Sequence, residues 1–185
     1  MDCKPNVNFI RKVIPCLRKI NFQMVLLGLD GAGKTSILNA FKDAKDLEVQ
    51  PTIGFNLETI SRKKVTFEIW DVGGQEHIRD LWKHYYENEG MDGVLFVVDA
   101  TDEYRLKTAK NALQIIMAGL SPTNAFICIL ANKQDKFSKL LPISLIFEEL
   151  DLNSVLQNRN WKLFPVSGVT GSGLEDVLKW VMEHK

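Results

Sequence analysis

The stretch Phe22-Gln-Met-Val-Leu-Leu-Gly28-Leu-Asp-Gly-Ala-Gly33-Lys34-Thr35 joins a continuous apolar run to a glycine-rich loop. A short apolar run closed by glycines reads as a strand buried on both faces. Gly33 to Phe41, immediately behind it, reads as a helix, so the glycines fall in the turn between strand and helix. Gly28 to Thr35 fits G-x-x-x-x-G-K-[ST] in the context that confirms that motif. Gly28 and Gly33 let the loop bend until successive backbone N–H groups point inward, and the positive end of the helix adds to the same anion site. Lys34 is then placed to bridge β- and γ-phosphates, and the Thr35 hydroxyl offers Mg²⁺ a hard oxygen ligand. Taken alone, the loop says only that a nucleoside triphosphate binds.

Outward from this loop, short apolar runs alternate with amphipathic stretches, which predicts strands and helices wound around a mostly parallel sheet. Phe55 to Ile60 and Val65 to Trp70, joined by the polar turn Ser61-Arg-Lys-Lys64, predict an antiparallel hairpin. Gly93 to Asp99, Ala125 to Ala131 and Trp161 to Val166 predict three further central strands. Helical spacing is clearest at Ile78, Leu81, Trp82 and Tyr85, at Leu106, Ala109, Leu113 and Ile116, and at Leu174, Val177, Leu178 and Val181. Those faces are assigned to the core. The expectation is an α/β fold of six strands and about five helices, with ligands bound at the carboxyl ends of the strands. Phe137 to Ser144 and Asn153 to Asn160 carry no readable pattern.

Two polar tetrads follow strands on that same edge. Asn132-Lys-Gln-Asp135 comes directly after Ala125 to Ala131. Asp135 offers two acceptors to the N1–H and exocyclic amine of guanine, a donor pair that adenine lacks. Ser167-Gly-Val-Thr170, after the last strand, offers backbone N–H groups to the guanine carbonyl. Asp71-Val-Gly-Gly-Gln75 follows the hairpin and supplies a carboxylate for Mg²⁺. Gly73 and Gly74 keep the next turn mobile, and the Gly74 N–H can reach a γ-phosphate, so the turn can sense triphosphate against diphosphate. Gln75 is the candidate for orienting an attacking water.

Composition narrows the class further. The chain has 185 residues, 45% hydrophobic and 25% charged, the make-up of one globular domain. Lys and Arg number 23, as do Asp and Glu, a balance that argues against a nucleic-acid binder. Cys3, Cys16 and Cys128 are odd in number and irregular in spacing, so neither a disulfide framework nor a zinc site is expected, and a reducing, cytoplasmic setting is. No apolar run reaches the roughly 18 residues of a membrane span.

Assembled, these residues resemble the Ras superfamily of small GTPases and, within it, the Arf/Arl branch of ADP-ribosylation-factor-like proteins. The family motifs stand here at Gly28 to Thr35, Pro51 to Asn56, Trp70 to Gln75 and Asn132 to Asp135. The resemblance runs from about Phe22 to Lys185, which predicts a GTPase domain over 22–185 preceded by an extension over 1–21. It implies a P-loop GTPase fold, with one antiparallel strand in the sheet, that binds GTP and GDP with Mg²⁺. The nucleotide-binding set is then Asp30, Gly31, Ala32, Gly33, Lys34, Thr35, Ser36, Thr52, Gly74, Asn132, Lys133, Asp135, Ser167, Gly168 and Val169. Thr35, Thr52 and Asp71 form the metal set, and Gln75 and Lys34 the catalytic pair. Effectors would meet Phe55, Trp70, Tyr85 and the switch regions, which composition alone assigns to the core. An exchange factor and an activating protein are implied as well, the chain itself acting as a monomer. The hairpin corresponds to the interswitch, which in this family slides by two residues, a shift that keeps side chains on their own faces.

The stretch of about ten residues before Thr52 is too short for the helical insertion that carries an arginine in heterotrimeric Gα subunits. Hydrolysis is therefore expected at the intrinsic small-GTPase scale of ~10⁻⁴ s⁻¹, raised by an arginine in trans. Arg79, at the start of the helix after Gln75, is a conceivable internal substitute for that arginine, but its position favours a surface or effector role. Where many family members carry a myristoylated glycine this chain has Asp2, so that modification is not expected. Residues 1–21 hold an excess of four positive charges and the apolar Phe9, Ile10, Val13, Ile14 and Leu17, interrupted by Pro15. This segment is the candidate for peripheral contact with the cytosolic face of an intracellular membrane, and for packing on the body in the GDP state. Two other classes stay open at this stage: a GTP-dependent scaffold that does not hydrolyse, and an ATP-using P-loop kinase, against which Asn132 and Asp135 argue.

Overall fold

The computed structural model describes residues 20–42, 52, 54–62, 64–86, 90–120 and 125–184. The leading segment through residue 19, with Cys3, Cys16 and Pro15, lies outside the described residues, as do 43–51 and Ile53. Six strands form one sheet: β1 Ile20–Gly28, β2 Phe55–Arg62, β3 Val65–Val72, β4 Gly93–Asp99, β5 Phe126–Asn132 and β6 Trp161–Pro165. Their order is β2-β3-β1-β4-β5-β6. Only β2 runs antiparallel, against β3, and every other pairing is parallel. Ser61 and Arg62 pair with Thr66 and Val65, so β2 extends two residues into the stretch expected as a turn.

The apolar runs of β1, β4 and β5 bury both faces of the sheet by strict alternation. Met24, Leu26, Leu95, Val97, Cys128 and Leu130 pack on one side, while Val25, Leu27, Val94, Phe96, Ile127 and Ile129 pack on the other. The first side is covered by α1 Lys34–Phe41 and by α6 Leu174–Met182, whose Leu174, Val177, Leu178 and Val181 are all buried as their spacing predicts. The second is covered chiefly by α3 Leu106–Gly119 through Leu106, Ala109, Leu113 and Ile116. Each of these larger side chains stabilises the fold by about 1.5–3 kcal/mol when fully buried. Among the described residues there are six α-helices against about five expected. The remainder are short, α2 Lys83–Tyr86, α4 Ile143–Glu149 and α5 Leu152–Val155, and α5 lies in a stretch with no sequence pattern.

One periodic segment departs from its expectation. Glu76–Leu81 is a 3₁₀ helix rather than the first turns of an α-helix. Ile78 and Trp82 are buried, but Leu81 is 47% exposed and Tyr85 is only half-buried. No helix among the described residues is long and apolar enough to cross a membrane. Because β1, β3, β4, β5 and β6 are parallel, Gly28, Val72, Asp99, Asn132 and Pro165 all end on one edge, and the loops that leave this edge form the site.

Candidate functional site

A cavity of about 620 Å³ opens along that edge, a volume typical of small-molecule sites. It is lined by Asp30, Gly31, Gly33, Lys34, Thr35, Ser36, Thr52, Gly74, Gln75, Asn132, Lys133, Asp135, Gly168 and Val169, together with Lys136, which the sequence reading did not include. The site residues Ala32, Asp71 and Ser167 stand behind this wall and act on it through hydrogen bonds.

The loop between β1 and α1 is shaped by its own lysine. Buried Lys34 sends Nζ to the carbonyls of Gly28 and Leu29 at 3.0 and 3.1 Å, which folds the loop around the ammonium and leaves that charge facing the cavity. Burial pulls its pKa down to about 8, offset in part by the nearby charges of Asp71 and Asp30. An anion in the cavity would relieve that penalty. Gly33 adopts φ +90°, and a Cβ there would overlap the Asn132 amide, so glycine is required on both counts.

At one end of the cavity, three oxygen-bearing side chains converge from three separate segments. The Thr35 hydroxyl donates to Asp71 Oδ2 at 2.8 Å, Thr52 Oγ1 lies 2.9 Å from Thr35 Oγ1, and the Thr52 hydroxyl also reaches Asp71 Oδ2 at 3.4 Å. Asp71 is fully buried, and its Oδ1 has no hydrogen-bond partner. Burial raises its pKa, against the Thr35 hydrogen bond, the Lys34 charge and the Thr52 hydrogen bond. An orphaned carboxylate oxygen beside two hydroxyls is a hard, oxygen-only donor set, which fits a divalent cation such as Mg²⁺.

The turn after β3 packs straight onto the phosphate loop. The Gly73 N–H donates to Gly54 O at 2.9 Å, and the Asp30 N–H donates to Gly74 O at 3.2 Å. A Cβ on Gly74 would overlap Gly28 O and the Asp30 amide, so only glycine can approach this closely. Trp82 Nε1 donates to Gly73 O at 2.9 Å, a contact that sequence spacing does not reveal. Arg79, read from sequence as a surface or effector residue, instead turns back to this loop, with Nε donating to Gly74 O at 3.1 Å.

The other end is cross-linked by side chains. Asn132 donates from Nδ2 to Ala32 O at 2.8 Å and accepts from the Gly168 N–H at 2.9 Å, joining the phosphate loop to the turn after β6. Ser167 Oγ donates to Asp135 Oδ1 at 2.6 Å and accepts from the Val169 and Thr170 amides at 3.3 and 3.1 Å. This modifies the expectation that the amides of Ser167 to Thr170 face a base carbonyl. Gly168 and Thr170 are engaged within the protein, and Val169, with the longest contact, is the least committed donor. Lys133 holds φ +71° and pairs through Nζ with Asp99 Oδ2 at 2.5 Å.

On the face of the hairpin that also buries Val72, Phe55, Trp70 and Tyr85 form a cluster with ring centroids 5.5–6.0 Å apart. Phe55 is 54% exposed, as is its neighbour Leu57 at 43%. Trp70 and Tyr85 are half-buried and pack against the core beneath the sheet.

The family model for the ADP-ribosylation factor family matches residues 9–185. Among solved structures, the chain is similar to the Arl6 BBS3 small GTPase from Trypanosoma brucei with bound nucleotide analogue GppNp. The two are 30% identical with a TM-score of 0.77, over 88% of this chain and 96% of the other. With a P-loop GTPase fold and this match over nearly all its length, the chain belongs to the Arf family of small GTPases: a GTP-dependent switch that binds guanine nucleotide and works with effectors, exchange factors and activating proteins.

Proposed function

We propose that this protein holds GTP with Mg²⁺ across the cavity, hydrolyses it slowly, and presents the Phe55, Trp70 and Tyr85 surface to effectors in the triphosphate state. The observation that carries this reading is the convergence of Thr35, Thr52 and Asp71 beside Lys34, with the Asp71 Oδ1 atom buried and unpartnered. Phosphate oxygens would sit against the Lys34 ammonium and the loop amides from Gly33 to Ser36. Thr35, Thr52 and Asp71 would hold the cation, whose chemistry is to neutralise charge on the β- and γ-phosphate oxygens. Thr52 lies outside the sheet, and its 2.9 Å contact with Thr35 supports placing it in the metal set.

At the base end, Asp135 accepts from the guanine N1–H and exocyclic amine, with Ser167 fixing one of its oxygens. Asn132 acts as the brace between loops, and the Lys133 stem flanks the base. Gln75 orients the attacking water, and the reaction is GTP + H₂O to GDP + phosphate. Arg79 is engaged with the loop backbone, so the arginine that accelerates hydrolysis comes in trans. The protein acts as a monomer, and residues 1–21 supply peripheral contact with the cytosolic face of a membrane.

The test is to purify the protein in Mg²⁺ buffer, denature it and identify the released nucleotide by chromatography, with Asp135→Asn beside it. Guanine nucleotide from the wild type, diminished in the variant, is the expected result. Adenine nucleotide, or none after loading with GTP, would contradict the reading. A single-turnover rate near 1 s⁻¹ without a partner would remove the trans arginine, given the intrinsic scale of small GTPases.

A further inference from the structure

Asp30, inside the phosphate loop, is the meeting point of three segments. Its N–H donates to Gly74 O at 3.2 Å, and that same carbonyl accepts the Arg79 Nε–H at 3.1 Å. Arg79 Nη2 lies 3.5 Å from Asp30 Oδ1. A closed ring therefore links the Asp30 amide, the Gly74 carbonyl, the Arg79 guanidinium and the Asp30 carboxylate. On the other side, Arg105 Nη1 donates to Asp30 O at 3.0 Å and to Oδ2 at 3.2 Å, with its own Nε held by Asp102 at 2.6 Å. Asp30 is thus tied to the turn after β4 by one arginine and to the turn after β3 by the other.

We propose that Arg79 is a positioning residue: by bridging Asp30 and Gly74 it latches the Gly73 to Gln75 turn onto the phosphate loop, and so sets how strongly the protein prefers triphosphate to diphosphate. The inference rests on the GTP-dependent reading above. The latch joins two pieces that separate only when the turn moves, and that turn is the one placed to sense a γ-phosphate. Breaking it weakens the closed arrangement and leaves the diphosphate contacts of the loop in place. Arg79 moves with the turn as one unit, because Ile78 is buried beside it and Trp82 donates to Gly73 O.

Arginine is specifically suited to this position. Its fork presents Nε–H to the carbonyl and Nη2 to the carboxylate at once, while a lysine ammonium is a single point charge. The Asp30 side chain is 54% exposed, so the ion pair alone contributes little, and the charged hydrogen bond to the Gly74 carbonyl is the larger part.

The experiment compares mant-GDP and mant-GppNp affinities of the full chain as wild type, Arg79→Ala, Arg79→Lys, Asp30→Asn and the Arg79→Ala/Asp30→Asn double variant. The GppNp-to-GDP affinity ratio is expected to fall about three- to tenfold in Arg79→Ala. Arg79→Lys should restore only part of it, and the double variant should lose no more than Arg79→Ala alone. An unchanged ratio in Arg79→Ala, full rescue by lysine, or losses that multiply in the double variant would each overturn the latch. So would an Arg79→Ala protein that no longer binds mant-GDP, because a contact with the movable turn leaves diphosphate binding intact. Failure of the wild type to bind either nucleotide would instead bring down the GTP-dependent reading itself.

Discussion

Where Asn132, Lys133 and Asp135 line the cavity, the contacts join residues at the ends of β4, β5 and β6 to one another and to the phosphate loop. Asn132 joins Ala32 to Gly168, Ser167 holds Asp135, and Lys133 pairs with Asp99. Where Thr52, Gly74 and Gln75 line it, the contacts join a residue outside the sheet, a glycine turn and a 3₁₀ helix to the phosphate loop. The first arrangement ties residues that follow the central strands to one another. The second opens by moving one turn. Recognition of a base needs a fixed template, whereas discrimination between triphosphate and diphosphate needs an element with two positions.

The largest expected effect breaks the fixed end. Asp135→Asn replaces one acceptor oxygen with a donor facing the guanine N–H groups, which should weaken GDP and GppNp alike by at least about a hundredfold. An effect confined to GppNp, measured by displacement titration, would mean the two ends are not separate. The opposite pattern is expected at the movable end. Gly74→Ala places a methyl against Gly28 O and the Asp30 amide. It should lower GppNp affinity about tenfold or more with GDP nearly unchanged, since overpacking costs about 1–3 kcal/mol only where the turn is closed.

Trp82→Phe removes the indole N–H from Gly73 O and sharpens the comparison. It should destabilise the protein by about 1–3 kcal/mol in denaturant titration and lower the triphosphate preference severalfold. The smallest effect belongs to Asp99. Burial alone would raise its pKa, but the Lys133 and Thr101 hydrogen bonds outweigh burial and hold the carboxyl below its usual value. A depressed folded-state pKa contributes stability that is present above the unfolded value of about 3.9 and lost as pH falls through the folded one. Asp99→Asn should therefore flatten the loss of stability between pH 6 and pH 3. A slope identical to wild type would show that this pair carries no linkage.

The fixed end was also the more legible in sequence. Unbroken apolar runs announced β4 and β5, and the polar tetrad directly after β5 had to emerge on the carboxyl edge. The metal-ligand candidates Thr35 and Asp71 were legible for the same reason, because each abuts a strand or helix whose position follows from periodicity. The movable end was not. Ile78, Leu81, Trp82 and Tyr85 satisfy helical spacing, yet the segment is split between a 3₁₀ helix and one α-helical turn, Leu81 is exposed, and Tyr85 packs with Phe55 and Trp70. Arg79 and Arg105 carry no sequence mark of their contact with Asp30, which is made through space across 49 and 75 residues of chain. Four-residue helices such as Leu152–Val155 hold a single turn, too short for any period to register.

Hydrogen exchange of the full chain, loaded in turn with GDP and with GppNp, tests the division most directly. The account predicts that GppNp adds protection at Thr52, at Gly54 to Asn56 and from Gly73 to Trp82, while Asn132 to Lys136 and Ser167 to Thr170 exchange alike in both states. Equal gains at both ends, or a gain confined to the base end, would contradict it.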